Sequence, residues 1–251
     1  MPRVRLDTLL VSRGLAPSRE RARALVLAGH VRVGDRPATK AGQLVADGAA
    51  ISLIAPDHPW VSRGGIKLAH ALGTFGVPVA GRLALDIGAS TGGFTHVLLD
   101  AGARCVVALD VGRGQLDWSL RTDPRVIVLE RVNARALAPD QLPPACRLVD
   151  LVTIDVSFIS LRLILPVVPR LLAPGGDVIA LVKPQFEAGR DEVGRRGLVH
   201  DPEVHARVVA EVVAAADRIG LARVAQTDSP IPGATGNREY FLLLRAAGVP
   251  D

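Results

Sequence analysis

The chain has 251 residues, is 49% hydrophobic but only 3% aromatic, and carries a formal net charge of +5. This length suits one large domain or a small and a medium one, with a core of Val, Leu, Ile and Ala. No apolar run reaches the roughly 18 residues of a membrane span, the N-terminus lacks a signal-peptide apolar stretch, Cys105 and Cys146 make no disulfide framework, and six scattered histidines lack ligand spacing; a cytoplasmic protein with no metal and no membrane partner is expected.

The first elements are basic. Residues 5–14 place Leu6, Leu9 and Leu10 on one helical face, and Gly14 ends that helix. Ser18 caps a second helix, 19–28, stopped by Gly29. His30–Val33 alternates like a strand and turns at Gly34-Asp35, and 50–54 reads as a second strand. Residues 1–40 hold Arg3, Arg5, Arg19, Arg21, Arg23 and Lys40 among nine cations, against Asp7, Glu20 and Asp35. A basic module on a nearly balanced body fits RNA binding, and those six residues are its candidate contacts. The prolines of Pro56-Asp-His-Pro59 mark a linker, giving a first domain at 1–57, a linker at 58–62 and a second domain at 63–248.

From residue 63 the pattern alternates between strand and helix. A helix runs through Ile66, Ala69, Leu72 and Phe75. Strands are expected at 83–87, 104–110, 126–129, 150–155, 178–183, 221–226 and 239–245, and helices at 92–101, 115–121, 160–172 and 202–219. Pro166 and Pro169 make the 160–172 helix irregular, whereas Asp201 and Pro202 open the last one well. Such alternation predicts a Rossmann-like, doubly wound seven-stranded sheet whose last two strands are antiparallel neighbours.

The first of these strands runs into Asp86-Ile-Gly88-Ala89-Ser90-Thr91-Gly92-Gly93-Phe94, a loop of small residues a ligand can approach closely. It is not the G-x-G-x-x-G dinucleotide fingerprint. Its acid two positions before the first glycine resembles S-adenosylmethionine sites. Asp110, followed by Val111, stands twenty-four positions after Asp86, an offset suited to accepting both hydroxyls of a ribose. Asn133 is a candidate for the adenine edge or an ordinary loop residue.

Of 30 basic residues only Lys40, Lys67 and Lys183 are lysines. Arginine stays charged, whereas a lysine amine can serve as a base. Lys67, Asp155, Lys183 and Glu239 fall at strand ends or just ahead of the first strand of the sheet, where open α/β sheets carry their chemistry. Together they resemble the Lys-Asp-Lys-Glu tetrad of ribose 2′-O-methyltransferases. A lysine serving as base near neutral pH needs a shift worth about 4 kcal/mol. Lys183 is assigned as that base, with Lys67 holding the oxygen, Asp155 orienting Lys183, and Glu239 positioning Lys67 or the ribose.

Residues 60–68, 86–94, 110–120, 155–161, 182–187 and 236–241, in that order, are similar to the TlyA family, also called hemolysin A. The resemblance implies an N-terminal domain like that of ribosomal protein S4, an FtsJ-like methyltransferase domain using S-adenosylmethionine, and cytidine 2′-hydroxyls of 16S or 23S rRNA, or of both, as targets, with rRNA or ribosomal subunits as partner. The family's linker reads Arg-x-Trp-Val, and here it is His58-Pro59-Trp60-Val61. A non-catalytic RNA-binding protein and a membrane-lytic hemolysin are the competing readings. Phe158 and Phe186 are read as core packing in preference to stacking on a base, and Arg190, Arg195 and Arg196 lie on a Gly-rich loop that either closes over RNA phosphate or is plain surface.

Overall fold

A computed structural model describes residues 3–54 and 58–246. Residues 1–2 and 55–57 of the expected first domain and 247–248 of the second lie outside the described residues.

The N-terminal unit is β1 (Arg3–Arg5), α1 (Leu6–Ser12), α2 (Arg19–Leu27), β2 (Val31–Val33), β3 (Arg36–Pro37), β4 (Leu44–Ala46) and β5 (Ile51–Leu53). Leu6, Leu9, Leu10, Ala22, Val26 and Val31 form its core. The Ser18 hydroxyl accepts from the Arg21 amide at 3.2 Å and caps α2, as its sequence position predicts. β1 pairs with β4, and β2 lies between β3 and β5. The sequence reading missed β1, β3 and β4, which at two or three residues are too short to show a period-two pattern.

The larger unit follows as α3 (Gly64–Phe75), β6 (Leu83–Ile87), α4 (Gly93–Asp100), β7 (Cys105–Asp110), α5 (Trp118–Arg121), β8 (Val126–Glu130), β9 (Val149–Ile154), β10 (Leu172–Val182), α6 (Pro184–Glu187), α7 (Pro202–Asp217), β11 (Leu221–Asp228) and β12 (Tyr240–Ala246). Its seven strands lie in the order β11-β12-β10-β9-β6-β7-β8, with β12 antiparallel to both neighbours. The expected fold class is therefore observed. Alternate side chains feed two cores. Leu83, Leu85 and Ile87 point to the α7 face, while Ala84 joins Leu68, Phe94 and Leu98 beneath α3 and α4.

Two elements differ from expectation. Residues 160–172 form 3-10 turns at Leu161–Leu163 and Leu165–Arg170, because Pro166 and Pro169 donate no amide hydrogen to an α-helix. The 115–121 helix shrinks to α5, since Asp117 caps it by accepting from Ser119 N at 3.0 Å.

Candidate active site

The parallel strands β6, β7, β9 and β10 all end at one edge, the place where open α/β sheets form their ligand cleft, and the loops leaving them gather there. Gly88, at φ 88°, turns the chain after β6. A side chain there would strike the backbone oxygen of Asp155, so only glycine lets the two strand ends meet. The amides of Gly88 and Ala89 both donate to Leu109 O, at 2.8 and 3.0 Å. Asp110 then ties the two loops together: it accepts from Ser90 N at 2.8 Å and from Gly112 N at 2.6 Å. Asp110 is half-buried, and Val111 next to it is 73% exposed.

Asp86 lies under this loop, fully buried, accepting from Thr95 Oγ1 at 2.7 Å and Thr153 Oγ1 at 3.0 Å. Burial pushes its carboxyl up to about 7, against the pull of the two threonines. It shapes the loop from beneath and presents no oxygen to a ligand. Phe94 is likewise buried, packed on Phe241 with ring centroids 6.2 Å apart. Thr91 and Gly93 are also buried, and at Gly92 and Gly93 a Cβ would meet Leu116, Leu120 and Ser62. The candidate cofactor residues thus split. Gly88, Ser90, Asp110 and Val111 border the cleft, whereas Asp86, Phe94, Gly92 and Gly93 hold its wall. Asn133 is exposed and accepts from Arg135 N at 3.1 Å, capping its own turn.

The four candidate catalytic residues form two pairs. Lys67 on α3 places Nζ 2.5 Å from Glu239 Oε2, and both side chains are almost entirely buried. Gly233 leaves room for the Glu239 carboxylate, which a Cβ there would displace. Lys183, at the N-cap of α6, pairs with Asp155 and donates to Ser157 Oγ at 3.0 Å. Asp155 is aligned by its amide, which donates to Ile87 O at 2.9 Å and extends the β6–β9 pairing by one residue.

Beside Lys183 the chain turns outward at Phe158, with φ 66°. Its ring is 91% exposed and meets Phe186 at 5.2 Å between centroids. The expectation of core packing is wrong for Phe158: a left-handed backbone swings it to the cleft mouth. Glu187 fastens this turn, accepting from Ser160 Oγ at 2.5 Å and Leu161 N at 2.6 Å, and burial pushes its carboxyl above the usual range. Ser157, Gln185 and Glu187 escaped the sequence reading although they stand two to four positions from Asp155 or Lys183. Gln185 Oε1 is buried without a partner among the described residues.

In the N-terminal unit, Arg5 and Arg19 converge on buried Asp7, at 2.7 and 3.4 Å. The Arg5 guanidinium holds the Asp7 carboxyl down at about 2, against burial. Arg3, Arg23 and Lys40 are exposed and meet no carboxylate among the described residues. Arg21 has a partner that its sequence neighbours lack. It donates to Asp117 of the larger unit at 2.8 Å while its side chain stays 40% exposed. Asp117 N in turn donates to Thr91 O of the cofactor loop at 3.1 Å.

A family model described as FtsJ-like methyltransferase matches residues 60–246, and an S4 domain model matches 4–51. The 16S/23S rRNA (cytidine-2′-O)-methyltransferase TlyA of Mycobacterium tuberculosis is 52% identical over 97% of this chain and 90% of its own length. Hemolysin A of Brachyspira hyodysenteriae is 38% identical over 95% and 98%. A solved Streptococcus thermophilus structure bearing the hemolysin name superimposes with a TM-score of 0.76 at 42% identity, covering all of this chain and 90% of the other.

Proposed function

The chain belongs to the FtsJ-like methyltransferase family, in its TlyA branch with an S4 domain, and from that premise we propose that it transfers a methyl group from S-adenosylmethionine to the 2′-hydroxyl of a cytidine in 16S rRNA, 23S rRNA or both. The observation that carries this reading is the presence of two lysine–carboxylate pairs, Lys67–Glu239 and Lys183–Asp155, at the sheet edge of the Gly88 loop, where the Val182–Tyr240 pairing sets Lys183 and Glu239 next in register.

The cleft suits the cofactor. Gly88 admits close approach of a ligand to backbone, the Asp110 carboxylate faces the position of a ribose diol, and exposed Val111 offers an apolar cover for an adenine. S-adenosylmethionine supplies an electrophilic methyl on a positively charged sulfur. Everything else falls to protein side chains. As a neutral amine, Lys183 turns its Nζ lone pair to the ribose 2′-hydroxyl and takes its proton as the oxygen attacks. Asp155 and Ser157 fix Nζ from two sides and so set the line of attack. Lys67, held by Glu239, donates to the ribose and steadies the oxygen. Phe158 and Phe186 stack on the target base at the mouth.

Residues 1–57 serve as the RNA-binding domain, 58–62 as linker and 63–248 as the methyltransferase domain. Arg3, Arg23 and Lys40 contact phosphate directly, and Arg5 and Arg19 do so from their perch on Asp7. The substrate is rRNA or a ribosomal subunit. The Brachyspira hyodysenteriae relative and the Streptococcus thermophilus structure carry the hemolysin name, and no helix among the described residues is long and apolar enough to cross a membrane. Transfer from labelled S-adenosylmethionine to isolated small and large ribosomal subunits, followed by mapping of the modified ribose, tests the reading. Label on a cytidine 2′-oxygen supports it, and label on base atoms or none at all defeats it.

A further inference from the structure

On the other face of the sheet from Lys67 and Glu239, but at the same edge, α7, β11 and the approach to β12 enclose an open groove of about 400 Å³. The alternation of an extended strand links the two faces. Glu239 turns to Lys67, while Arg238 and Tyr240 on either side of it turn to the groove. Its cations are Arg223 and Arg238, with His200 and His205 beside them, and among the described residues no carboxylate lines it. Arg223 has only Gln226 Oε1 as a side-chain partner among the described residues, at 3.3 Å. Arg238 is held from outside by Asp228 at 2.7 Å and lies 5.9 Å from the centre of the Tyr240 ring.

The rim of this groove is fastened by buried polar groups that none of the catalytic steps uses. Asn237, 1% exposed, donates to Gly197 O at 2.7 Å and accepts from Val199 N at 2.9 Å. His205 bridges the Tyr240 hydroxyl and Val199 O, at 2.9 Å each. These four bonds pin the 194–200 loop against β12. They thereby fix His200 in the groove and carry Arg195 and Arg196, both exposed and without an acid partner among the described residues, alongside it. Burying an asparagine and a histidine to hold an arginine-rich loop is costly for plain surface.

We infer that this groove, centred on Arg223, Arg238 and His200, is a second RNA-contact site that grips the phosphate backbone of the substrate away from the target nucleotide. The inference rests on the RNA methyltransferase reading above. Basic side chains spread over a loop and two strand segments match a run of phosphates better than a single small anion. The floor, with Ala206 and Ala210 of α7, has room for a sugar-phosphate chain. No base stacks on Tyr240, which is 8% exposed and covered by Arg238. The groove therefore adds affinity without sequence preference, and the target nucleotide is chosen elsewhere.

The test compares wild type with Arg223→Glu and Arg223→Gln. Filter binding of the cofactor-loaded proteins to isolated ribosomal subunits is measured over a series of salt concentrations, beside methyl transfer to the same subunits. Arg223→Glu is expected to weaken binding about tenfold and to flatten the log-affinity against log-salt line by about one unit. Arg223→Gln should show the smaller of the two losses. Thermal melting and S-adenosylmethionine affinity report on the fold, and if the Glu variant melts early the Gln variant decides. Unchanged affinity and salt slope in a folded variant overturn the groove while leaving the methyltransferase reading intact. Wild-type protein that binds subunits yet transfers no methyl overturns that reading, with the binding comparison still deciding the groove.

Discussion

Lys67 Nζ lies 2.5 Å from Glu239 Oε2, with the two side chains 11% and 3% exposed. Removing one partner leaves the other charged and buried. Glu239→Ala is expected to cost about 3–5 kcal/mol of stability. The double variant Lys67→Met with Glu239→Leu recovers most of that loss, because neither charge then remains. Methyl transfer stays abolished in both. Denaturant titration beside an activity assay separates the two effects; recovered activity in the apolar pair would remove Lys67 from the chemistry.

Phe158 is a large apolar side chain that the fold leaves in water. Phe158→Ala should leave the melting temperature nearly unchanged. Loss of a base-stacking partner worth about 1–3 kcal/mol lowers kcat/KM by roughly tenfold to a hundredfold. Phe158→Trp retains most of the activity. Steady-state kinetics on ribosomal subunits, with melting curves, check this.

Asp86 titrates at about 7 in the fold against an ordinary value of 3.8, because burial disfavours its charged form. A carboxyl raised in this way favours folding at low pH, and that contribution is lost as pH climbs from about 4 through 7. Asp86→Asn removes the loss. Relative to wild type, the variant should gain stability, on the order of a few kcal/mol, as pH rises from 4 to 7, with no further gain above that. Denaturant titrations at four pH values in this window measure it, and a constant difference would contradict the burial account.

Arg21 and Asp117 join the two units, and Asp117 also holds Thr91 of the cofactor loop. Arg21→Ala should therefore weaken S-adenosylmethionine binding several-fold, while Arg23→Ala weakens RNA binding and spares the cofactor. Exchanging the charges, Arg21→Asp with Asp117→Arg, restores cofactor affinity. Calorimetric titration with cofactor reads both outcomes.

Much of this arrangement is legible in the sequence. Near-continuous runs of Val, Leu, Ile and Ala mark the inner strands of the large sheet, since strands buried on both faces leave little room for polar interruption. The positions of Asp155, Lys183 and Glu239 at strand ends are equally readable, because topology alone brings such ends to one edge, whereas Lys67 reaches Glu239 from α3. What stayed hidden depends on backbone sign and long-range partners. An aromatic in an apolar stretch is ordinarily core, and only the left-handed backbone at Phe158 turns it outward. Arg21 looks like its neighbours Arg19 and Arg23 until Asp117, 96 positions away, is brought beside it. Asp86 reads as a ligand contact by its place in the loop, yet Thr95 and Thr153 take both of its oxygens.

The account turns on the amine of Lys183, held between Asp155 and Ser157. The most direct measurement is single-turnover methyl transfer from labelled S-adenosylmethionine to ribosomal subunits by wild type and Lys183→Ala, with cofactor affinity determined on each. Loss of a general base predicts a rate lowered about 10²- to 10⁴-fold at nearly unchanged cofactor affinity, with the residual label still on a ribose 2′-oxygen. Wild-type rates from the variant would contradict it.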